Sequence, residues 1–208
     1  YANSAKNPAK SFQDSVLVTL YNHHARRRPM NLERLSELSQ SKALQIFDER
    51  FEDPKDFTIY LVGNLNVDSL RPSIEKYLGG IPKMKKMKTE TWTDRGIRIA
   101  DGKVTNRFER EMQVDKCSNM VVFSGDMAFN LKNSLTLSLI ADILDIRYFE
   151  SMREMEGGTY GVSTRATLNN IPEPQALLQL SFDTDPKLED RLLVLIREEI
   201  DKLIAEGP

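Results

Sequence analysis

Residues 146–163, with the sequence IRYFESMREMEGGTYGVS, restrict the possible folds of this chain more than any other segment. They read as the end of a long amphipathic helix, a break at Gly157-Gly158 and the beginning of a strand. The end of a helix and the beginning of the next strand lie on the same edge of a two-layer domain. The segment therefore predicts a helix layer packed on a sheet, with this junction at one edge.

Two side chains of the segment suggest chemistry at that edge. Arg153 lies in the last predicted helical turn and Tyr160 opens the predicted strand. A guanidinium and a phenol at one cleft rim suit a peptide carbonyl or a developing oxyanion. A structural interpretation is favoured at this point, because an arginine near a helix end can pair with the neighbouring glutamates and a tyrosine can pack on a sheet edge.

The rest of the hydrophobic pattern predicts an α+β fold. The order β-α-β-β-α-β-β-α, with strands paired between helices, indicates a mixed or antiparallel sheet with helices packed on one face, preceded by a helical connecting segment. Strands are predicted at residues 57–62, 104–114, 118–125, 160–168 and 176–182, and helices at 11–21, 31–50, 68–78, 131–156 and 185–206. The longest helix is expected to bury the apolar stripe Leu135, Leu139, Ile143, Ile146 and Phe149.

The same pattern predicts the domain organisation. Residues 1–56 contain no strand signal, so they are expected to be the end of a preceding domain and a linker. Residues 57–208 are expected to form an α/β domain that is truncated at its C-terminus. A length of 208 residues with 40% hydrophobic residues is enough for one sizeable core.

Composition argues against nucleic acid and membrane partners. Charged residues make up 29% of the chain, but the formal net charge is only −2. Arg26-Arg27-Arg28 and the lysine-rich residues 83–88 lack interleaved aromatic residues, so a solvated turn and a solvated linker are favoured over nucleic-acid contacts. No apolar run approaches the ~18 residues of a membrane span. A signal-peptide pattern is not visible.

The inventory of metal ligands is small. His23 and His24 are the only histidines, and adjacent helical positions point about 100° apart rather than toward one metal ion. The motifs H-x-x-E-H, H-E-x-x-H and C-x-x-C are absent. Cys117, the single cysteine, lies in a strand-like stretch and is interpreted as a buried structural thiol rather than a nucleophile. This chain alone is therefore not expected to bind zinc.

Four segments resemble the pitrilysin/insulinase-like zinc peptidases. They are residues 56–82 (DFTIYLVGNLNVDSLRPSIEKYLGGIP), residues 147–163 with EGGTYG inside, residues 172–174 (PEP) and residues 181–186 (SFDTDP). The resemblance covers about residues 21–208 and is to the C-terminal half of these enzymes, which does not bind zinc. A family assignment follows from several separate segments rather than from one motif.

The resemblance implies a function for the junction. These peptidases have two similar halves that close like a clamshell around a chamber, and the N-terminal half carries zinc on an H-x-x-E-H motif whose glutamate activates a water molecule. The other half contributes an arginine and a tyrosine near the scissile bond, with the spacing of Arg153 and Tyr160. The fragment alone should be inactive, because it lacks H-x-x-E-H. Its expected partners are the zinc-binding half, in the same polypeptide or in a partner subunit, and a peptide substrate.

Two alternatives remain open at the level of sequence. The chain could belong to a scaffold or peptide-binding subunit of the same family that has lost catalysis, or to an unrelated α+β domain with a similar pattern. Relatives occur in the periplasm, the cytosol and mitochondria, and a periplasmic location is the prediction made here. The peptide specificity and the oligomeric state do not follow from the sequence.

Overall fold

A computed structural model of the chain describes residues 6–51, 57–81 and 91–208, and for Tyr160 it describes the backbone only. The chain divides into two compact units, one formed by Tyr1–Pro29 with Gly96–Pro208 and the other by Met30–Arg95. The domain boundary predicted after residue 56 lies outside the described residues and stays a prediction. The helices are α1 Pro8–Leu20, α2 Leu32–Ser36, α3 Gln40–Phe51, α4 Val67–Tyr77, α5 Leu131–Tyr148 and α6 Glu189–Glu206.

A three-stranded antiparallel sheet forms the centre of the larger unit. Its strands are β1 Cys117–Asp126, β2 Thr159–Asn169 and β3 Gln175–Thr184, in the order β1-β3-β2. β3 pairs with β1 from Asp126↔Gln175 to Cys117↔Thr184 and with β2 from Asn169↔Gln175 to Thr159↔Thr184. The predicted α+β class with an antiparallel sheet is therefore confirmed. These three strands lie where the sequence predicted them, each slightly longer at its ends.

Helices α5 and α6 bury the sheet's central strand. The core contains Leu180 and Phe182 from one face of β3. Its other members come from α5, from α6 and from the segment between α5 and β2; they are Leu144, Tyr148, Met152, Leu192, Leu195 and Ile196. Burial of each large apolar side chain contributes about 1.5–3 kcal/mol. The hydroxyl of Tyr148 donates to the carbonyl oxygen of Ile196 at 3.0 Å, so the one polar group of this tyrosine is satisfied inside the core.

The prediction of which α5 residues are buried is largely wrong. Leu135, Leu139 and Ile146 are exposed, at 56%, 61% and 61% of their surface, and Phe149 is also exposed. The buried positions are instead Leu137, Ala141, Leu144 and Tyr148. Apolar residues occur on every side of α5, so the periodicity of its sequence does not determine which face is buried. Packing against the sheet and α6 determines the buried face.

Two of the predicted strands are not formed among the described residues. Residues 57–62 pair with no described strand, and Val62 is 94% exposed. Residues 104–114 alternate as a strand should, yet they are held by side chains instead of a backbone ladder. Asn106 Nδ2 donates to Ser15 Oγ at 2.9 Å and Thr19 Oγ1 at 2.7 Å on α1. An alternating sequence is therefore not sufficient for a strand, because the backbone must also form hydrogen bonds with a neighbouring strand.

Helix ends differ from prediction where a polar side chain offers another cap. The single helix predicted over residues 31–50 is divided into α2, capped by Asn31, and α3, because Ser39 Oγ accepts the N–H of Lys42 and starts a new helix. Asp185 is the first residue of the last helix as the sequence predicts it. Its Oδ1 accepts the N–H of Lys187 at 2.8 Å in a preceding turn, and α6 begins at Glu189.

Candidate functional site

The junction between α5 and β2 contains a π-helical segment, Phe149–Met155, in place of the regular helix predicted there. Its wider turns show in the bond from Glu156 N to the carbonyl oxygen of Ser151, five residues earlier. Gly157 then adopts φ 60°, a left-handed conformation that favours glycine, and β2 begins two residues later. π-helical turns are unusual and occur frequently at functional sites.

Arg153 lies in this π-helical segment and is exposed. Its guanidinium carbon is 4.6 Å from the ring centroid of Phe149, which places the charge over the aromatic face. No ion pair joins Arg153 to another residue of the described chain. Glu156, one of the partners considered from the sequence, instead accepts from Arg191 at 3.0 Å. Among the described residues, the guanidinium of Arg153 is thus exposed and contacts an aromatic ring rather than a carboxylate.

Tyr160 occupies the second position of β2, inside a β-bulge. In the pairing of β2 with β3, the pair Thr159↔Thr184 is followed by Val162↔Phe182. Tyr160 and Gly161 therefore lie together opposite one residue of β3, Asp183. Bulges are common beside active sites, where they change the direction of a side chain. The phenol itself lies outside the described atoms, so the shared cleft rim with Arg153 stays a prediction.

Tight contacts hold the glycine pair between the helix layer and the sheet. A Cβ atom on Gly158 would lie 2.9 Å from both methyl carbons of Leu192, which is fully buried on α6. The hydroxyl of Thr184 on β3 donates to the carbonyl oxygen of Gly158. Gly158 N–H donates to Met152 O at 2.9 Å. The junction is thus bonded to the core on both sides, and its position is set by α6 and β3.

A shallow groove of about 300 Å³ is lined by residues of α5 and of the π-helical segment. Its walls combine two apolar side chains with three carboxylates: Asp145, Ile146, Phe149, Glu150 and Glu154. Phe149 belongs both to this groove and to the contact with Arg153. Asp145 Oδ1 also accepts the N–H of Thr164 at 2.6 Å, so one carboxylate is bonded to the edge of β2. The remaining carboxylates can accept hydrogen bonds from a ligand.

The described residues do not fit a zinc site. They contain no group of three or more histidine, cysteine, aspartate or glutamate residues that could hold a metal ion. His24 follows α1, and its Nδ1 accepts the N–H of Arg26 at 3.1 Å. Partial burial, reinforced by the charge of Glu189, raises the pKa of the Cys117 thiol, and a raised pKa disfavours the nucleophilic thiolate.

The basic residues singled out in the sequence form local contacts. The guanidinium of Arg27 lies 4.5 Å from the ring centroid of Tyr21, and Arg28 Nε donates to the carbonyl oxygen of Ala25 at 3.0 Å. The lysine-rich residues 83–88 lie outside the described part of the chain. Across the described ranges, no helix combines the length and apolar character needed to cross a bilayer.

Sequence reasoning missed two residues of this site. Phe149 was expected in the core but lies under the guanidinium of Arg153, and its spacing of four residues from Arg153 was the available signal. Thr159 had no signal, because its bonds depend on the bulge, and a bulge is defined by pairing with another strand.

Comparison with known proteins agrees with the fold and with the resemblance. A family model described as the peptidase M16 inactive domain matches residues 40–208. The chain is 28% identical over 214 aligned residues to a protein named zinc protease PQQL-like from Arabidopsis thaliana, covering 98% of this chain and 22% of that relative. The chain thus spans about a fifth of that relative's length.

Two solved structures share the fold. The periplasmic protease PqqL from Escherichia coli superposes with a TM-score of 0.81 at 23% identity, over 100% of this chain and 22% of that one. A mutant of the ferredoxin protease FusC, in complex with Arabidopsis ferredoxin, superposes with a TM-score of 0.70 at 16% identity, over 99% of this chain and 22% of that one.

Proposed function

The chain belongs to the family of peptidase M16 inactive domains, and from this premise we propose that it is the non-zinc-binding C-terminal region of a zinc endopeptidase that cleaves peptides. The resemblance to the pitrilysin-like zinc peptidases is confirmed, and relatives of the chain are named zinc proteases. In our proposal this region closes one side of the reaction chamber and contacts the substrate beside the scissile bond.

Arg153 and Tyr160 are the residues we assign to that contact. The observation that carries the assignment is the exposed guanidinium of Arg153, which has no ion-pair partner in the described chain and is held over Phe149 at the edge where β2 begins. A guanidinium there stabilises negative charge that develops on a peptide carbonyl oxygen, and the Tyr160 hydroxyl donates a hydrogen bond to the same group.

The zinc ion of the parent enzyme belongs, in this proposal, to residues outside this chain. The ligand set here does not fit zinc, since the chain has two adjacent histidines, one cysteine and no H-x-x-E-H motif. We propose that an N-terminal half, in the same polypeptide or in a partner subunit, holds the metal and supplies Lewis-acid chemistry. The present chain would then orient the substrate and stabilise charge.

The remaining features of the proposal concern substrate, domains and location. A peptide substrate is proposed, and the complex of FusC with ferredoxin shows that a structurally similar protease engages a protein. Residues 57–208 would be the last α/β domain, with residues 1–56 as the end of the preceding one. We propose a periplasmic location, because a structurally similar protease, PqqL from Escherichia coli, is described as periplasmic.

Mutation of the two residues in the full-length protein tests the assignment. We expect Arg153→Ala and Tyr160→Phe each to lower kcat on a fluorogenic peptide about 100-fold, the usual loss when one donor to a developing oxyanion is removed. The melting temperature should stay near that of the wild type, because Arg153 is exposed and Tyr160→Phe removes only a hydroxyl group. Arg165→Ala, an exposed arginine on the same strand, is the matched control. Wild-type turnover in both variants would refute the role.

The alternative is a scaffold or peptide-binding subunit without catalysis. Its support is the family description itself, which names the domain inactive. It predicts a full-length protein that binds peptide with the same Kd in the presence and absence of a zinc chelator and leaves the peptide uncleaved. Zinc-dependent cleavage would exclude this alternative.

A further inference from the structure

The β-bulge that contains Tyr160 is bridged by one side chain. Between the pairs Thr159↔Thr184 and Val162↔Phe182, β2 has two residues where β3 has one. The extra residue brings Thr159 and Val162 to the same face of the sheet, although three positions apart they would otherwise face opposite sides. Thr159 is accordingly 8% exposed, and Val162 packs against the core.

The hydroxyl of Thr159 bonds both backbone groups of Gly161. Thr159 Oγ1 accepts the N–H of Gly161 at 3.2 Å and donates to its carbonyl oxygen at 3.0 Å. A bulge leaves backbone groups without ladder partners, and groups of this kind are costly to leave unsatisfied. One side chain thus closes a short loop around the backbone of Tyr160.

We propose that Thr159 is a positioning residue for Tyr160, and this inference rests on the proposed function of Tyr160. The two hydrogen bonds fix the distance from Thr159 to Gly161 and hold the bulge in one geometry. The direction of the side chain between them depends on that geometry. A displacement of about 1 Å in a reacting group can lower turnover about 100-fold, so a hydroxyl that does not touch substrate can still control kcat.

Variants at position 159 distinguish the effect of the hydroxyl group on kcat from the effect of the shape of the side chain. In the full-length protein, Thr159→Val keeps the shape and removes both bonds, and Thr159→Ser keeps the hydroxyl. We expect Thr159→Val to lower kcat on a fluorogenic peptide about 10-fold or more with little change in KM, and Thr159→Ser to restore most of the loss. Thr159→Cys, with a much weaker hydrogen-bonding group of similar size, replaces the valine variant if that variant fails to fold. Thr167→Val, at an exposed position of the same strand, is the control.

A double-mutant cycle with Tyr160→Phe tests whether Thr159 acts through Tyr160. We expect Thr159→Val to cause no further loss of kcat in the Tyr160→Phe background, while any change in melting temperature is the same in both backgrounds. An equal loss of kcat in both backgrounds, or wild-type kcat in Thr159→Val beside a defective Tyr160→Phe, would overturn the inference. A Tyr160→Phe enzyme with the kcat of the wild type would instead refute the proposed role of Tyr160.

Discussion

Gly158 joins the π-helical segment to β2, and its replacement by alanine tests how firmly the core holds this junction. The added Cβ would lie 2.9 Å from Leu192 Cδ1 and Cδ2 and 3.2 Å from Leu192 Cγ. Carbon atoms in contact prefer separations of about 3.5–4.0 Å. One of the two residues must therefore move by roughly 0.6 Å or more, the difference between these separations.

The free-energy cost depends on the space around Leu192. Its side chain is fully buried among the core residues of α5, α6 and β3, so a change of rotamer meets other side chains. The alternative movement, of the Gly158 backbone, strains the bond from Thr184 Oγ1 to Gly158 O. Overpacking of a buried contact of this kind costs about 1–3 kcal/mol, and we expect Gly158→Ala to lower the free energy of unfolding by that amount.

Urea unfolding followed by circular dichroism measures the effect. Gly125→Ala is the matched control, because a Cβ atom on this strand glycine meets no atom within 4 Å, and we expect a change within about 0.5 kcal/mol. Leu192→Ala alone should cost about 2–5 kcal/mol by leaving a cavity. In that background Gly158→Ala should cost almost nothing, since the methyl groups that it clashes with are gone. Additive costs in the double variant would refute the steric argument.

Two further predictions concern the buried and exposed faces of α5 and the loss of stability at acidic pH. Leu144 is 1% exposed, and we expect Leu144→Ala to lower the free energy of unfolding in urea by about 2–5 kcal/mol. Leu139 is 61% exposed, and we expect Leu139→Ala to lower it by under about 1 kcal/mol. Equal losses would contradict the assignment of Leu144 to the buried face of α5. Partial burial alone would raise the pKa of Asp183, but hydrogen bonds from Lys116 and Ser118 outweigh it and lower the pKa below its ordinary value. The folded state then binds fewer protons than the unfolded state near and below pH 4, so this stabilisation is present above that pH and is lost as the pH falls through the folded pKa. Asp183→Asn should flatten the decline of the melting temperature in acid, and an unchanged slope would contradict the role of these bonds.

The strands and helices around the junction were predictable because their signals are local. The apolar stretches of β1, β2 and β3 and the glycine pair after α5 depend on neighbours in the chain, and the structure agrees with them. Residues 104–114 show the limit of such signals. They alternate as well as the true strands do, but no described backbone pairs with them.

The candidate site divides in the same way. Arg153 and Tyr160 are candidates from residue type and position, and their expected role comes from the resemblance, which extends over most of the chain. The π-helical turn and the bulge bridged by Thr159 were not predictable, and a spacing of four residues was the only signal for the contact of Arg153 with Phe149. Each involves a non-standard hydrogen-bond pattern or a contact whose energy depends on how the helix is placed on the sheet.

The amino-acid pattern was therefore sufficient for the α+β class, for the positions of three strands and for the position of the break at Gly157-Gly158. Those properties follow from backbone preferences that a few adjacent residues express. Only the folded arrangement selected Leu144 and Tyr148 over Leu139 and Ile146 as the buried face of α5. The physical reason is that a helix with apolar residues all around it has several faces of similar hydrophobic gain, and the sheet and α6 stabilise one of them by close packing.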